Sequence, residues 1–406
     1  MDAARVPTCR ASPPYCASMA STDPPVSGSR VGLGEVLVQW ARIGCTGFGG
    51  PPTHIALLRR LCVDRKDWID ATTFEDAIAA CNLLPGPAST QLAILCAWTV
   101  AGPAGAIAGG IAFIAPGLIV ILGLAAVFLA ASPPTWVLGA GAGAGAAVAA
   151  VAVHAGTGLL PGSWARAAVH GRWIAYAVLG GVAAATVGPW LVVVLLGCGV
   201  IELGARRFGR DGRLGGYVGP WMVGVTAAGG GVLALVWVAF KVGALSYGGG
   251  FVIIPMMQHD AVQHYHWMTN SQFLDAVALG QVTPGPVVQT VAVVGYAAAG
   301  LAGGVLAAFV AFSPSFVFVL TGARHFQTLR RSTAARAFLD GAGPAAIGAI
   351  LGVAIPLTLA LGVAWQYAVL AGAAALLFVF RRSVVTTLLL AAFAGIVIVQ
   401  LGAPLP

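Results

Sequence analysis

Charged residues are scarce in this chain. Only 8% of its 406 residues are Asp, Glu, Lys or Arg, 59% are hydrophobic, and the mean hydropathy is +0.90. A soluble domain carries about 25% charged residues, so the composition excludes a soluble protein. Apolar runs recur at the length of about 20 residues that a helix needs to cross the hydrocarbon core. We therefore predict an all-α polytopic membrane protein whose surroundings are the lipid bilayer.

Several chemical signatures are also missing. The seven cysteines form no CxxC pair and no cluster with histidine, which argues against a metal site. The chain lacks the phosphate-binding pattern GxxxxGK[ST], so we expect no built-in ATPase, no enzyme activity and no cofactor. The net charge of +8 comes from short basic clusters between apolar segments. Such clusters are typical of membrane topology and do not indicate nucleic-acid binding.

Glycine and proline, in contrast, are abundant and take part in an internal repeat. The segments ARIGCTGFGGPP and FKVGALSYGGGF align without a gap when the sequence is shifted by 199 positions. In this register Trp68 aligns with Trp267, and residues 85–87 align with 284–286, both Pro-Gly-Pro. Chance does not explain two tryptophans and two such triplets in register. Internal repeats of this kind are a common plan of secondary transporters.

Positive charge alternates between equivalent loops of the two halves. Four basic residues follow the first helix of the first half, and their counterpart, MMQHDAVQHYHW, has none. They are Arg59, Arg60, Arg65 and Lys66. The loop ASPPTW is uncharged, whereas its counterpart contains Arg324, Arg330, Arg331 and Arg336. Because cytoplasmic loops are enriched in Lys and Arg, we predict opposite orientations, as in an inverted-topology repeat.

The repeat and the charges together predict the organisation of the chain. We expect a disordered N-terminal tail at 1–30, which has no apolar core and does not resemble a signal peptide. A first transporter half at 31–205, a basic cytoplasmic linker at 206–218 and a second half at 219–406 follow. The charges fit about five crossings per half, with each Pro-Gly-Pro segment re-entrant or broken, giving about 10 spanning helices in total.

The Pro-Gly-Pro triplets are the first candidate binding elements. Proline inside a helix removes a hydrogen bond, and irregular backbone at membrane depth persists only inside protein or beside a wet cavity. The helix that starts after each break would offer N–H groups and a positive dipole end to an anion. Two kinks stabilised by capping side chains are the alternative. The candidate residues are Asn82, Pro85, Gly86, Pro87, Ser89, Thr90, Gln91, Gln281, Pro284, Gly285, Pro286, Gln289 and Thr290.

Paired glycines and a cation mark the first helix of each half. Gly49 and Gly50, and at equivalent positions Gly248 and Gly249, can expose N–H groups to an anion. Tight helix packing is the alternative explanation of these four glycines.

Arg42 and Lys241 lie seven residues before the two glycine pairs, inside apolar segments. An intramembrane cation is a candidate for function, and snorkelling to the interface is the alternative. Asp76 and Asp275 are paired by the repeat as well. Each of them is a candidate for capping a helix, pairing with a cation or carrying a coupling proton.

The motifs FGGPPTHIALLRR and FEDAIAACNLLPGPASTQLA, with their second copies YGGGFVIIPMM and LDAVALGQVTPGPVVQTVA, resemble the chromate ion transporter family, long-chain two-domain type. The resemblance covers nearly the whole chain after residue 30. It implies a bacterial inner-membrane protein that exports chromate from the cytoplasm and confers chromate resistance. It places the functional pattern on the paired glycines and on the two Pro-Gly-Pro triplets.

Two other functions remain open at this point. Sulfate has the shape and charge of chromate, so the protein could carry sulfate or another oxyanion. A non-transporting membrane scaffold or sensor is the second alternative, although a scaffold has no need for symmetric helix breaks. The sequence also leaves open a homodimer.

Overall fold

The computed structural model describes residues 31–82, 84, 86–186, 190–208, 231–246, 250–322 and 332–406. This part of the chain is helical almost throughout and contains no strand, which confirms the predicted all-α class. The predicted tail and most of the predicted linker lie outside the described residues. So do Pro85, Gly248 and Gly249 among the candidate site residues.

The first half contains seven described helices. They are α1 (Leu33–Thr46), α2 (Pro51–Arg59), α3 (Ala71–Cys81), α4 (Ala88–Phe128), α5 (Thr135–Arg166), α6 (His170–Thr186) and α7 (Leu191–Phe208). A π-helical segment, Arg60–Arg65, continues α2. The side chain of Asp70 accepts a hydrogen bond from the Thr73 N–H at 2.9 Å and caps the start of α3.

The second half contains eight described helices. They are α8 (Val232–Leu245), α9 (Ile254–Gln258), α10 (Asn270–Val282), α11 (Thr290–Gly322), α12 (Thr333–Gly352), α13 (Ala354–Leu359), α14 (Ala364–Ala374) and α15 (Val384–Gln400). Short 3-10 segments precede α9 and α11, and π-helical segments follow α9 and α14.

Helix boundaries recur at the spacing of the sequence repeat. α1 and α8 differ by 199 positions at both ends, and so do the π-helical segments Arg60–Arg65 and His259–His264. The packing recurs too. A methyl group added at Gly44 of α1 would lie 2.5 Å from the carbonyl oxygen of Phe113, and one at Gly243 of α8 would lie 1.9 Å from that of Ala311. These glycines let the helix backbones approach closely.

The long helices α4 and α11 each fold back on themselves. The chain leaves helical geometry at Ala101–Gly102 in α4 and at Ala299–Gly300 in α11, and both glycines have positive φ, +69° and +63°. A methyl group added at Gly295 would lie 2.4 Å from the carbonyl oxygen of Gly303. In a continuous helix, residues eight positions apart are separated by about 12 Å. Each helix is therefore a tight hairpin of two antiparallel arms.

Four described segments are long and apolar enough to cross a membrane by length and composition, namely Ala88–Phe128, Thr135–Arg166, Val287–Gly322 and Thr333–Leu359. Helix α5 is the most enclosed of them, with 83% of its apolar window buried, and it packs against α10, α12, α14 and α15. Its alternating glycines and alanines permit this close contact on many sides. The two halves also meet along α4 and α11.

Candidate functional site

Both Pro-Gly-Pro triplets interrupt their helices. α3 ends at Cys81 and α4 begins at Ala88, while α10 ends at Val282, five residues before the next 3-10 turn. At the second break the chain turns back sharply, because a methyl group added at Gly280 would lie 2.0 Å from the Thr290 hydroxyl oxygen. A continuous helix would separate these residues by about 15 Å. The second triplet is therefore the tip of a re-entrant turn.

Each triplet packs against the opposite half of the chain. The N–H of Gly285 donates to the Gly47 carbonyl at 3.0 Å, and the Gln289 side-chain amide donates to the Ile114 carbonyl at 2.8 Å. In the other direction, a methyl group added at Gly86 would lie 3.5 Å from both the Gly243 carbonyl oxygen and the Ser315 hydroxyl oxygen. Each helix break therefore contacts residues of the other half, and the two breaks meet at one centre.

Buried polar side chains gather around these breaks. Thr90, Ser246, Gln289 and Ser315 are fully enclosed, and Gln281 is 8% exposed. Each of them has a side-chain polar atom without a hydrogen-bond partner among the described residues. Leaving such a group unsatisfied costs about 1–3 kcal/mol, so clustered unsatisfied groups are unusual in a core. We call these five residues the polar centre. The hydroxyl groups of Thr90, Ser246 and Ser315 and the amide nitrogen of Gln281 can donate hydrogen bonds to an anion. The unpaired atom of Gln289 is its amide oxygen, which accepts.

His54 connects the first glycine motif to the start of α4. Its ring is fully buried against the edge of Phe113, with Nε2 2.9 Å from the Gly47 carbonyl oxygen and Nδ1 3.3 Å from the Ser89 hydroxyl oxygen. Since a carbonyl only accepts, Nε2 carries the hydrogen and Nδ1 accepts from Ser89. His54 was outside the predicted site, because Ile253 occupies the equivalent position in the second half.

A cavity of about 890 Å³ leads from the first triplet to an arginine-rich end of the molecule. Asn82, Gly86 and Ala88, at the first triplet, are among its lining residues. Four arginines and three carboxylates line the rest, so positive charge is in excess. They are Arg166, Arg172, Arg206 and Arg336, with Glu75, Glu202 and Asp340.

Ion pairs hold part of this lining in place. The nearly buried carboxylate of Glu202 contacts Arg206 at 2.9 Å and Arg172 at 3.1 Å, and it also accepts a hydrogen bond from the Tyr176 hydroxyl. Arg206 reaches Asp340 at 2.8 Å as well. Glu202 and Asp340 were not among the predicted site residues. An acidic residue inside the apolar helices α7 and α12 was the available signal.

Neither predicted intramembrane cation forms an ion pair or a side-chain hydrogen bond with a residue of the polar centre among the described residues. Arg42 has an exposed side chain on α1. Lys241 forms an ion pair with Asp260 at 2.5 Å and lies 5.8 Å from the centre of the Trp237 ring. The repeat could not reveal Asp260, since Leu61 occupies its equivalent position.

The remaining candidates are divided between the centre and other surfaces. Pro87 is the N-cap residue of α4, and Ser89 and Gln91 are buried in its first turn. Gly50 lies near Val287, whereas Gly49 is exposed. The backbone of Pro284 contacts Gly117, Pro286 is the N-cap residue of the following 3-10 turn, and the Thr290 hydroxyl donates to the Val287 carbonyl. Asp76 is half-buried and Asp275 is buried.

Broken helices whose breaks meet between two repeated halves are typical of membrane transporters. The family model described as "Chromate transporter" matches residues 34–203 and 233–396. The chain belongs to the chromate transporter family.

Named relatives agree with this assignment. The chain is 32% identical to the chromate transport protein of Cupriavidus metallidurans, over 80% of this chain and 82% of that protein. It is 28% identical to the chromate transport protein of Pseudomonas aeruginosa, over 78% and 79% of the two chains. It is 25% identical to an uncharacterised transporter of Methanocaldococcus jannaschii, over 82% and 85%. No solved structure matches the chain significantly.

Proposed function

We propose that the protein exports chromate from the cytoplasm across the bacterial inner membrane and thereby confers chromate resistance. The observation that carries this proposal is the polar centre, in which breaks from both halves surround unsatisfied hydroxyl and amide groups. Chromate is a tetrahedral dianion whose four oxygens accept hydrogen bonds in several directions. Donors converging from two halves of a molecule suit such an oxyanion.

The chemistry of the polar centre favours transport over permanent binding. Its five residues carry no full charge, and Lys241, one of the two predicted cations, is paired with Asp260. A transported ion must bind firmly enough to enter and weakly enough to leave. Neutral donors, aided by the partial positive charge at the start of α4, meet both conditions better than a buried arginine.

The arginine-lined cavity supports a cytoplasmic entrance. Its excess of positive charge would raise the local concentration of a dianion near Gly86. Arginine is also the residue that cytoplasmic segments favour. From this side the membrane potential promotes export, because each elementary charge contributes about 2.3 kcal/mol per 100 mV and a dianion about twice that.

The placement of equivalent helices supports opposed halves. Glu75 of α3 lines the arginine-rich cavity, whereas its equivalent on α10, Leu274, lies beside Gly145, nearer the start of α5 than its end. Arg166, at the end of α5, lines the cavity as well. Equivalent helices thus face opposite ends of α5, which is what an inverted repeat requires.

Inside-out membrane vesicles test the proposed direction. Under an imposed potential, positive inside, vesicles containing the protein should accumulate chromate faster than vesicles without it, and sulfate more slowly than chromate. Accumulation of sulfate alone would favour the alternative of a sulfate or other oxyanion carrier. No movement of either anion, with protein present in the membrane, would favour a scaffold or sensor and overturn the proposal.

Two neighbouring serines provide a matched pair of variants. Ser315 belongs to the polar centre, whereas the Ser313 hydroxyl already donates to the Val310 carbonyl at 2.8 Å. A hydrogen bond to a charged partner contributes about 1.5–3 kcal/mol, so Ser315→Ala should weaken chromate binding about tenfold or more. Ser313→Ala should leave binding unchanged. Equal affinities in the two variants would remove Ser315 from the site.

A further inference from the structure

Asp275 is a buried carboxyl group that the proposed binding site does not use. It lies on α10 with 8% relative exposure. A methyl group added at Gly141 of α5 would lie 2.7 Å from its Oδ1 atom, and one at Gly145 would lie 3.4 Å away. Two glycines of α5 thus make the space that this carboxyl group occupies. Its Oδ1 atom has no hydrogen-bond partner among the described residues.

Among the described residues, none forms an ion pair or a side-chain hydrogen bond with this carboxyl group. The elements packed against α10 are α4, α5, α9, α11, α15, the 3-10 turn Val287–Gln289 and the π-helical segment after α9. Their titratable and charged residues, none of which forms an ion pair with Asp275, are Cys96, His154, Arg166, His259, Asp260, His264 and Tyr296.

A carboxylate enclosed in this way is costly to keep ionised. An isolated charge in a low-dielectric interior is avoided by taking up a proton, and an acidic residue at membrane depth is a functional candidate by default. In the arrangement described here, burial of Asp275 therefore favours the neutral acid. Opening of the contact between α10 and α5 to water would favour the ionised form.

The equivalent residue of the first half has a different environment. Asp76 is half-buried on α3, the helix that lines the arginine-rich cavity through Glu75 and Ile78. Inverted repeats alternate access by exchanging the arrangements of their two halves. After such an exchange α10 would line a cavity on the opposite side, and Asp275 would gain the exposure that Asp76 has here.

We propose that Asp275 is a proton-binding site that couples proton movement to anion transport. The proton binds to the carboxylate when it faces water on one side, stays on the neutral acid while α10 packs against Gly141 and Gly145, and leaves when the contact opens. No other bond forms or breaks. This inference rests on the proposed function.

Reconstituted liposomes test the coupling separately from transport itself. Valinomycin with equal potassium on both sides holds the potential at zero, and a pH gradient is imposed between buffers alkaline enough to keep chromate fully ionised. One pH unit corresponds to a factor of ten in equilibrium, so wild-type protein should accumulate chromate up to about tenfold per coupled proton. Asp275→Asn should show no accumulation while still exchanging chromate between equal solutions.

Three further measurements make the test decisive. Asp70→Asn, which changes an exposed carboxyl group that caps α3, is the matched control and should keep the response to the pH gradient. Asp275→Glu retains a titratable group and should keep it as well. A normal response of Asp275→Asn, or no response of wild-type protein, would overturn the coupling role. Loss of chromate exchange in both Asp275 variants would also overturn it, because that result indicates a structural role for Asp275. Absence of wild-type chromate flux under an imposed potential would instead refute the proposed function.

Discussion

The ion pair between Lys241 and Asp260 gives Lys241 a structural role in place of direct contact with the anion. The side chains are 18% and 7% exposed, and the charged atoms are 2.5 Å apart. Removing one partner of a buried pair leaves an uncompensated charge and costs about 3–5 kcal/mol, whereas replacing both by apolar residues is often neutral. Because Lys241 keeps some contact with solvent, we expect Lys241→Met to lose about 3 kcal/mol, and Asp260→Leu to lose less, since the lysine can reach water.

Thermal unfolding in detergent and chromate flux together check this expectation. The double variant Lys241→Met/Asp260→Leu should recover most of the stability lost by Lys241→Met and should still transport chromate. A double variant as unstable as Lys241→Met would refute the structural ion pair. A stable double variant without transport would show that Lys241 acts on the anion directly, as the sequence alone suggested.

Two other predictions concern single contacts. Gly117→Ala should abolish chromate flux in vesicles, because the new methyl group would lie 2.0 Å from the Pro284 carbonyl oxygen, whereas Gly123→Ala on the same helix meets nothing within 4 Å and should transport normally. Asp70→Ala should lower the free energy of unfolding by about 1 kcal/mol, the usual value of an N-cap. Hydrogen bonds from Thr73 lower the pKa of Asp70, so this contribution should be present above the ordinary pKa of Asp and disappear as pH falls through the lowered value.

The repeat made the local structure predictable. The boundaries of α1 and α8 match, and the triplets end α3 and α10. Both features follow from glycine and proline at fixed positions, because these residues act on the backbone directly. Burial of Ser89 and Gln289 near the breaks was expected on the same grounds. The hairpin at Gly102 was not predicted. In a chain with 56 glycines, one more glycine inside an apolar run does not indicate a reversal.

Contacts between the halves could not be predicted from the sequence. Gln289 donates to a carbonyl 175 positions away. Every residue type has a backbone carbonyl, so the identity of the accepting residue does not indicate this contact. The surroundings of the charged residues also depend on tertiary packing. Apolar runs show that Arg42 and Lys241 lie within helical segments, but such runs have no polar face to indicate direction. The exposure of Arg42 and the pairing of Lys241 with Asp260 therefore could not be predicted.

The contacts of each helix break with the opposite half predict how the halves behave when they are separated. Gly285 bonds to Gly47, Gln289 bonds to Ile114, and α4 packs along α11, so either half alone lacks the partners of its own triplet. Chains 1–218 and 219–406, expressed together, should assemble and transport chromate, whereas each alone should not. Co-purification of the two chains and vesicle flux measure this. Transport by one half alone, without self-association, would contradict a centre shared between them. If one half transports as a dimer, a second copy can supply the missing partners. Contacts between two halves would then remain essential, although the peptide link between them would not.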